Sequence, residues 1–302
     1  MDFLIEQLNA MSHRWFETMQ MITWQAVVVF CFATIAARSF RRYGPAIAFW
    51  IWIVAAAKIT SLAVAPMVLA VPIWQTTSVP RTDVSIDQHL PVSETISREP
   101  VRMIAQRSPR PTWKAALLFA WTAIVALQVG LIAIRRHSLT RQLSKSTPAS
   151  NADQAQLDLL RKRLKIRRRI RLCRGNVSVP LVTGVVKPLI LLPWKTTSDG
   201  GSEAKLDHIL LHELSHIKRC DLVWAWIPET TRILFFFHPV AYQISREAKL
   251  YREAACDQTV IQAEGSPKAY AKTLLTFIQK PNGLRDDSES QNGLSLSGFT
   301  RL

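Results

Sequence analysis

Asp207-His-Ile-Leu-Leu-His-Glu-Leu-Ser-His-Ile-Lys218 is the stretch on which the reading of the chain turns. His212 and His216 are four residues apart, so on a helix they project from one face and can grip a single metal ion. Glu213 lies about 100° around the same helix, within reach of a water at that ion but not placed to be a ligand. Leu206, Ile209, Leu210, Leu214 and Ile217 supply an apolar stripe at helical spacing, which predicts a packed helix. This is the arrangement of zinc hydrolases, in which two imidazoles need a third protein ligand and one position stays open.

That third ligand is expected from a second helix, in Tyr251-Arg-Glu-Ala-Ala-Cys-Asp257. Glu253 and Asp257 are again four apart and share a face. Glu253 is the expected metal ligand, and Asp257 the acceptor for the ring N–H of His212, fixing its tautomer. One Zn²⁺ per chain is the cofactor expected.

The surroundings of this pair of helices suggest a membrane. Ten Trp and a mean hydropathy of +0.08 are high for a soluble chain. Met19 to Ala37 carries no charge and is long enough to cross a bilayer, and Arg38, Arg41 and Arg42 follow it. A second span is expected over about 44–66, with Lys58 inside it, read as snorkelling or facing other helices. A third, about 115–134, ends at Arg135 and Arg136. The positive-inside rule puts the N-terminus outside and the arginines in the cytoplasm. Residues 1–143 thus read as a membrane region with an exported, proline-bearing loop over 80–113, preceded by an apolar exit segment from Met67 to Val79. Residues 144–280 read as a cytoplasmic domain and 281–302 as a disordered polar tail.

The net charge of +16 is concentrated. Residues 135–174 hold thirteen Lys or Arg against Asp153 and Asp158. No aromatic residues interleave the run to stack bases, so a surface attracted to anionic lipid, or a solvated face of a helix and strand, is the reading taken rather than direct nucleic-acid binding. The four cysteines form no C-x-x-C pair and suit a reduced compartment.

Within the C-terminal half, Ser144 to Asn151 reads as a linker, Gln154 to Lys165 as a helix and Arg169 to Cys173 as a strand. Val177 to Pro193 reads as two strands around Gly184, with Pro180 and Pro188 arguing for edge positions. Asp221 is expected to cap an apolar helix reaching Phe237, kinked at Pro228 and either buried or resting on the membrane surface. His238, at the break before Pro239, is read as structural.

Six segments together carry a resemblance: Ser178-Val-Pro-Leu-Val-Thr-Gly184, Lys187-Pro-Leu-Ile-Leu-Leu-Pro193, Leu211-His-Glu-Leu-Ser-His-Ile-Lys-Arg219, Asp221-Leu-Val-Trp224, Phe236-Phe-His-Pro239 and Arg252-Glu-Ala-Ala-Cys-Asp257. The chain resembles the membrane zinc metallopeptidases of the beta-lactam sensor-transducer, or antirepressor, type (BlaR/MecR-like), closely over about residues 150–262. The resemblance implies an α+β, gluzincin-like zinc metallopeptidase domain, mainly helical with a small edge-strand sheet, preceded by three transmembrane helices. It implies His212, His216 and Glu253 as zinc ligands and Glu213 as the catalytic base. The implied substrate is a polypeptide, either a transcriptional repressor or the protein itself. Those sensor-transducers carry a further span and a penicillin-binding domain after the peptidase. This sequence stops at Leu302 after a short helix around Lys268 to Gln279, so beta-lactam sensing is not expected. Two rival classes are a housekeeping membrane-protein quality-control peptidase and a non-enzymatic receptor with structural zinc. Glu213, which a structural site does not need, argues against the latter.

Overall fold

A computed structural model describes residues 2–68, 110–194 and 203–279. The exported loop (apart from its last residues), nearly all of the exit segment and the polar tail fall outside the described residues. Three long helices come first: α1 (Asp2–Ser39), α2 (Pro45–Val68) and α3 (Trp113–Ser144). Each contains an expected span and is long and apolar enough to cross a membrane. α1 and α3 outrun the expected spans, because helical backbone continues into the polar flanks where only the apolar run ends, whereas α2 matches its span to within two residues. α1 and α2 are joined by a tight turn at Arg41–Tyr43 and by Gly44, whose φ of +101° suits a residue without Cβ.

The second half is mainly helical with a four-stranded sheet. Its strands are β1 (Thr147–Pro148), β2 (Arg171–Gly175), β3 (Leu181–Thr183) and β4 (Leu189–Pro193), in the order β1-β2-β4-β3. Helix α4 (Asn151–Arg163) starts at Ser150, whose hydroxyl accepts from the Asp153 N–H. The sheet and α4 pack against α5 (Glu203–Arg219), which buries Leu210, Leu211 and Leu214 in a core shared with Leu157, Ile190 and Leu192. The expected stripe of Leu206, Ile209, Leu210, Leu214 and Ile217 lies in this core, and Leu211 joins it.

Two local expectations are corrected here. The supposed linker contains strand β1, which pairs antiparallel with β2 through Thr147 opposite Arg174. Of the two hairpin strands only β3 lies at the edge. β4 is central, parallel to β2 from Arg171–Leu189 to Gly175–Pro193 and antiparallel to β3. The prolines permit this because they flank the strand: Pro188 precedes β4 and still accepts from the Arg171 N–H, and Pro193 is its last residue.

After α5 the chain turns at Cys220, in the left-handed region at φ +57°, into α6 (Asp221–Trp224) and α7 (Trp226–Leu234). A turn at Phe235–His238 leads into the 26-residue α8 (Pro239–Glu264), followed by α9 (Pro267–Gln279). His238 caps α8 by accepting the Val240 N–H on Nδ1, the structural role expected of it. Helices α7 and α8 do not rest on the rest of the domain alone. They pack along α1 and α2 in a second apolar core of Met19, Ile22, Ala26, Trp52, Ile59, Phe235 and Ile244. Glu229 and Arg232 neutralise one another as a hydrogen-bonded ion pair, and Glu229 is buried.

Candidate metal centre

The site lies where α5 crosses the middle of α8. Glu253 Oε2 is 3.6 Å from His212 Nε2 and 3.7 Å from His216 Nε2, so three donor atoms face one point from two helices. All three fall within 4.8 Å of one another, the spacing of a set that could hold a metal ion. Glu213 is buried beside them.

Each converging side chain is held from behind. His212 Nδ1 is 3.1 Å from Asp257 Oδ1, the contact expected four residues beyond Glu253. His216 Nδ1 is 2.9 Å from Asp221 Oδ2. An ionised carboxylate can only accept, so each Nδ1 donates a ring proton, and in the neutral ring that a metal requires each Nε2 lone pair is left for the common point. Glu253 Oε1 accepts from Arg252 at 3.1 Å and 2.9 Å, which leaves Oε2 to face the rings.

Two of these supports were not foreseen. Asp221 is not a helix cap, since Cys220 occupies the position before α6. The left-handed turn at Cys220 instead folds Asp221 back beneath His216, where it also pairs with Arg219 Nε at 3.3 Å. Tyr270, on α9, donates its hydroxyl to Asp257 Oδ1 at 2.7 Å, and its oxygen is 3.2 Å from His212 Nδ1. The spacing His216 to Asp221 was a usable signal. Tyr270 left none, being 58 residues from the histidine it touches.

The electrostatics agree with a cation site. Burial works against a charged His212, yet hydrogen bonds to Asp257 and Glu253 outweigh it and the ring is pushed up to about 10. Burial likewise opposes ionised Glu253, but His212, His216 and Arg252 bring its carboxyl down to about 2. Burial holds Glu213 above its ordinary value, against the pull of His216 and His212. A pocket that drives an imidazole this far towards its cationic form is one that a metal cation satisfies equally well. Donor type, spacing and tautomers all fit zinc. A second grouping, His216 with Asp221 and Cys256, uses the Nδ1 that already carries a proton. Burial, and then Asp221, push the Cys256 thiol up, so it stays protonated and makes a poor ligand.

The family model of the BlaR1 peptidase M56 matches residues 17–291, the membrane helices included. The chain belongs to the BlaR1 peptidase M56 family. Among curated relatives of this M56 chain, the regulatory protein BlaR1 of Bacillus licheniformis is 34% identical over 86 residues, 28% of this chain and 14% of that protein. The methicillin resistance mecR1 protein of Staphylococcus aureus (strain Mu50 / ATCC 700699) is 31% identical over 88 residues, 29% of this chain and 15% of that protein. The matched stretch therefore spans about a seventh of the length of these relatives. Peptidase family, membrane-capable helices and the α+β architecture accord with the sequence reading.

Proposed function

We propose that this M56 chain is a membrane-anchored, zinc-dependent metalloendopeptidase of regulatory type, in which His212, His216 and Glu253 hold the ion and Glu213 is the general base. The observation that carries the reading is the convergence of Nε2, Nε2 and Oε2 on one point with both Nδ1 atoms held by carboxylates. When bound, zinc supplies Lewis-acid polarisation of the scissile carbonyl and acidifies a water beside it. Glu213 removes a proton from that water and returns it to the leaving amine nitrogen. Its raised proton affinity suits a group that must hold the proton between the two transfers. Asp257 and Asp221 keep the two imidazoles in the tautomer and orientation the reaction needs, and Arg252 keeps Glu253 on a single oxygen.

The arginines after the first and third spans support a cytoplasmic location for residues 144–280. The substrate of this reading is a polypeptide, a transcriptional repressor or the chain itself. The relatives named as regulatory and resistance proteins support that assignment over general membrane-protein turnover.

Glu213→Gln tests it. Bound zinc in the purified protein is expected to stay at one ion per chain while cleavage of a co-encoded repressor, or of the chain, disappears. Undiminished cleavage by the variant would refute the base, and a wild-type protein that binds no zinc would refute the whole reading.

A further inference from the structure

The geometry points to a re-entrant hairpin: α7, the Phe235–His238 turn and the first half of α8 dip into the bilayer from the arginine-flanked side and meet lipid acyl chains at their tip. The inference takes only that α1, α2 and α3 cross the membrane, and it is independent of the zinc chemistry.

Each membrane helix serves as a ruler. On α1, Met19, Ile22 and Ala26 share one apolar core with Phe235, and Ile22 is about 22 Å along the helix from Ala37, where the arginines begin. On α2, Thr231 Oγ1 is 2.8 Å from Thr60 Oγ1, and Thr60 is about 22 Å from Pro45. On α3, the Trp121 Nε1–H donates to the Leu234 carbonyl at 2.9 Å, and Trp121 is about 20 Å from Ile134, just before Arg135. At the other end of the hairpin, Arg136 lies over the Trp226 ring at 4.5 Å and Trp224 meets Trp50 at 4.9 Å, both near the arginine-flanked level. Three separate helices thus set the turn about 20 Å deep, roughly two thirds of the way through a hydrocarbon core of about 30 Å.

The hairpin also meets the conditions such a location imposes. Backbone groups in hydrocarbon must find partners within the protein. At the tip the Leu234 carbonyl accepts from Trp121, that of Phe235 from the His238 N–H at 2.8 Å, and that of Phe236 from the Tyr242 hydroxyl at 2.9 Å. The Thr231 hydroxyl is held by the Ile227 and Ala56 carbonyls. Glu229 is paired with Arg232, the form in which charges persist at membrane depth. Arg246, exposed on α8, is about 10 Å short of Glu253, within snorkelling reach of the interface. Phe237, 48% exposed at the tip, and Tyr242 are left to face the acyl chains.

The test uses the full chain in phospholipid vesicles permeabilised so that a charged maleimide reaches both faces. Phe237→Cys and, separately, Tyr242→Cys are compared with Val186→Cys in the exposed β3–β4 turn, after subtracting the labelling of the parent protein. Both hairpin thiols are expected to react at least tenfold more slowly than the Val186→Cys thiol in vesicles, and to approach its rate in detergent. A fluorophore on either hairpin thiol should be quenched more by lipids spin-labelled on the acyl chain than on the headgroup. Equal labelling rates in vesicles, stronger headgroup quenching, or protection that arises from cross-linkable contact with a second copy would each overturn the inference.

Discussion

Replacing Asp221 by Asn probes the least expected support of the proposed metal centre. Asp221 is 2% exposed and holds three partners: His216 Nδ1 at 2.9 Å, Arg219 Nε at 3.3 Å and Cys256 Sγ at 3.6 Å. The amide keeps the shape and one acceptor, but loses the charge that makes the imidazole a stronger donor to metal. Supports of this kind are worth roughly 10- to 100-fold in metal affinity, or about 1.4–2.7 kcal/mol at 1.4 kcal/mol per tenfold. The loss should fall at the upper end, because among the described residues the other group at His216 Nδ1 is a protonated thiol 3.3 Å away. Asp257→Asn gives the internal comparison. Its carboxylate is more exposed, and the Tyr270 hydroxyl remains 3.2 Å from His212 Nδ1 after the substitution. Zinc affinity measured by competition with a fluorescent chelator in detergent should therefore fall more for Asp221→Asn than for Asp257→Asn. An unchanged zinc affinity for Asp221→Asn, or the reverse order, would show that these carboxylates do not act through the imidazoles.

Three other perturbations are worth making. Thr231→Val removes the hydroxyl shared with Thr60 and the Ala56 carbonyl and should cost about 0.6–1.7 kcal/mol in a membrane setting, seen as a lower midpoint of thermal inactivation in detergent. Gly184 has φ +83°, and a Cβ there would lie 2.5 Å from the Lys187 carbonyl oxygen, so Gly184→Ala should destabilise by more than about 1 kcal/mol, with protease sensitivity rising at the β3–β4 turn. Burial pushes Asp153 up, but hydrogen bonds from Arg174 and Ser150 outweigh it and hold the carboxyl below its ordinary value. Its contribution to stability is thus full above about pH 4 and lost as pH falls through the lowered value. Asp153→Asn should destabilise the protein at pH 7 and lose that disadvantage in acid, read from unfolding midpoints across pH 2–7.

What could be read from the sequence is what is periodic and local. The pairs His212–His216 and Glu253–Asp257 declare their shared faces by spacing alone, and the apolar runs declare α1, α2 and α3. The contacts that escaped depend on turns and tertiary placement. A single left-handed residue, Cys220, decides whether Asp221 caps a helix or props an imidazole. Pro188 argues against a central strand only if it lies inside the ladder, and it stands one residue before β4. Glu229 and Arg232 stand in the sequence as two separate charges, whereas the folded helix shows one neutral pair.

Helix α8 is unbroken from Pro239 to Glu264 and carries Ile244 in the apolar core shared with α1 and α2, and Glu253 at the metal centre. Nine residues of rigid rod, about 13 Å, separate the two. A rocking of about 5° around Ile244 would carry the Glu253 backbone about 1 Å, on the scale at which misplaced reacting groups lose rate. On the proposed function, grip on the ion and the packing of α8 against α1 and α2 are consequently one mechanical variable, and packing substitutions in α2 should be read out in hydrolysis.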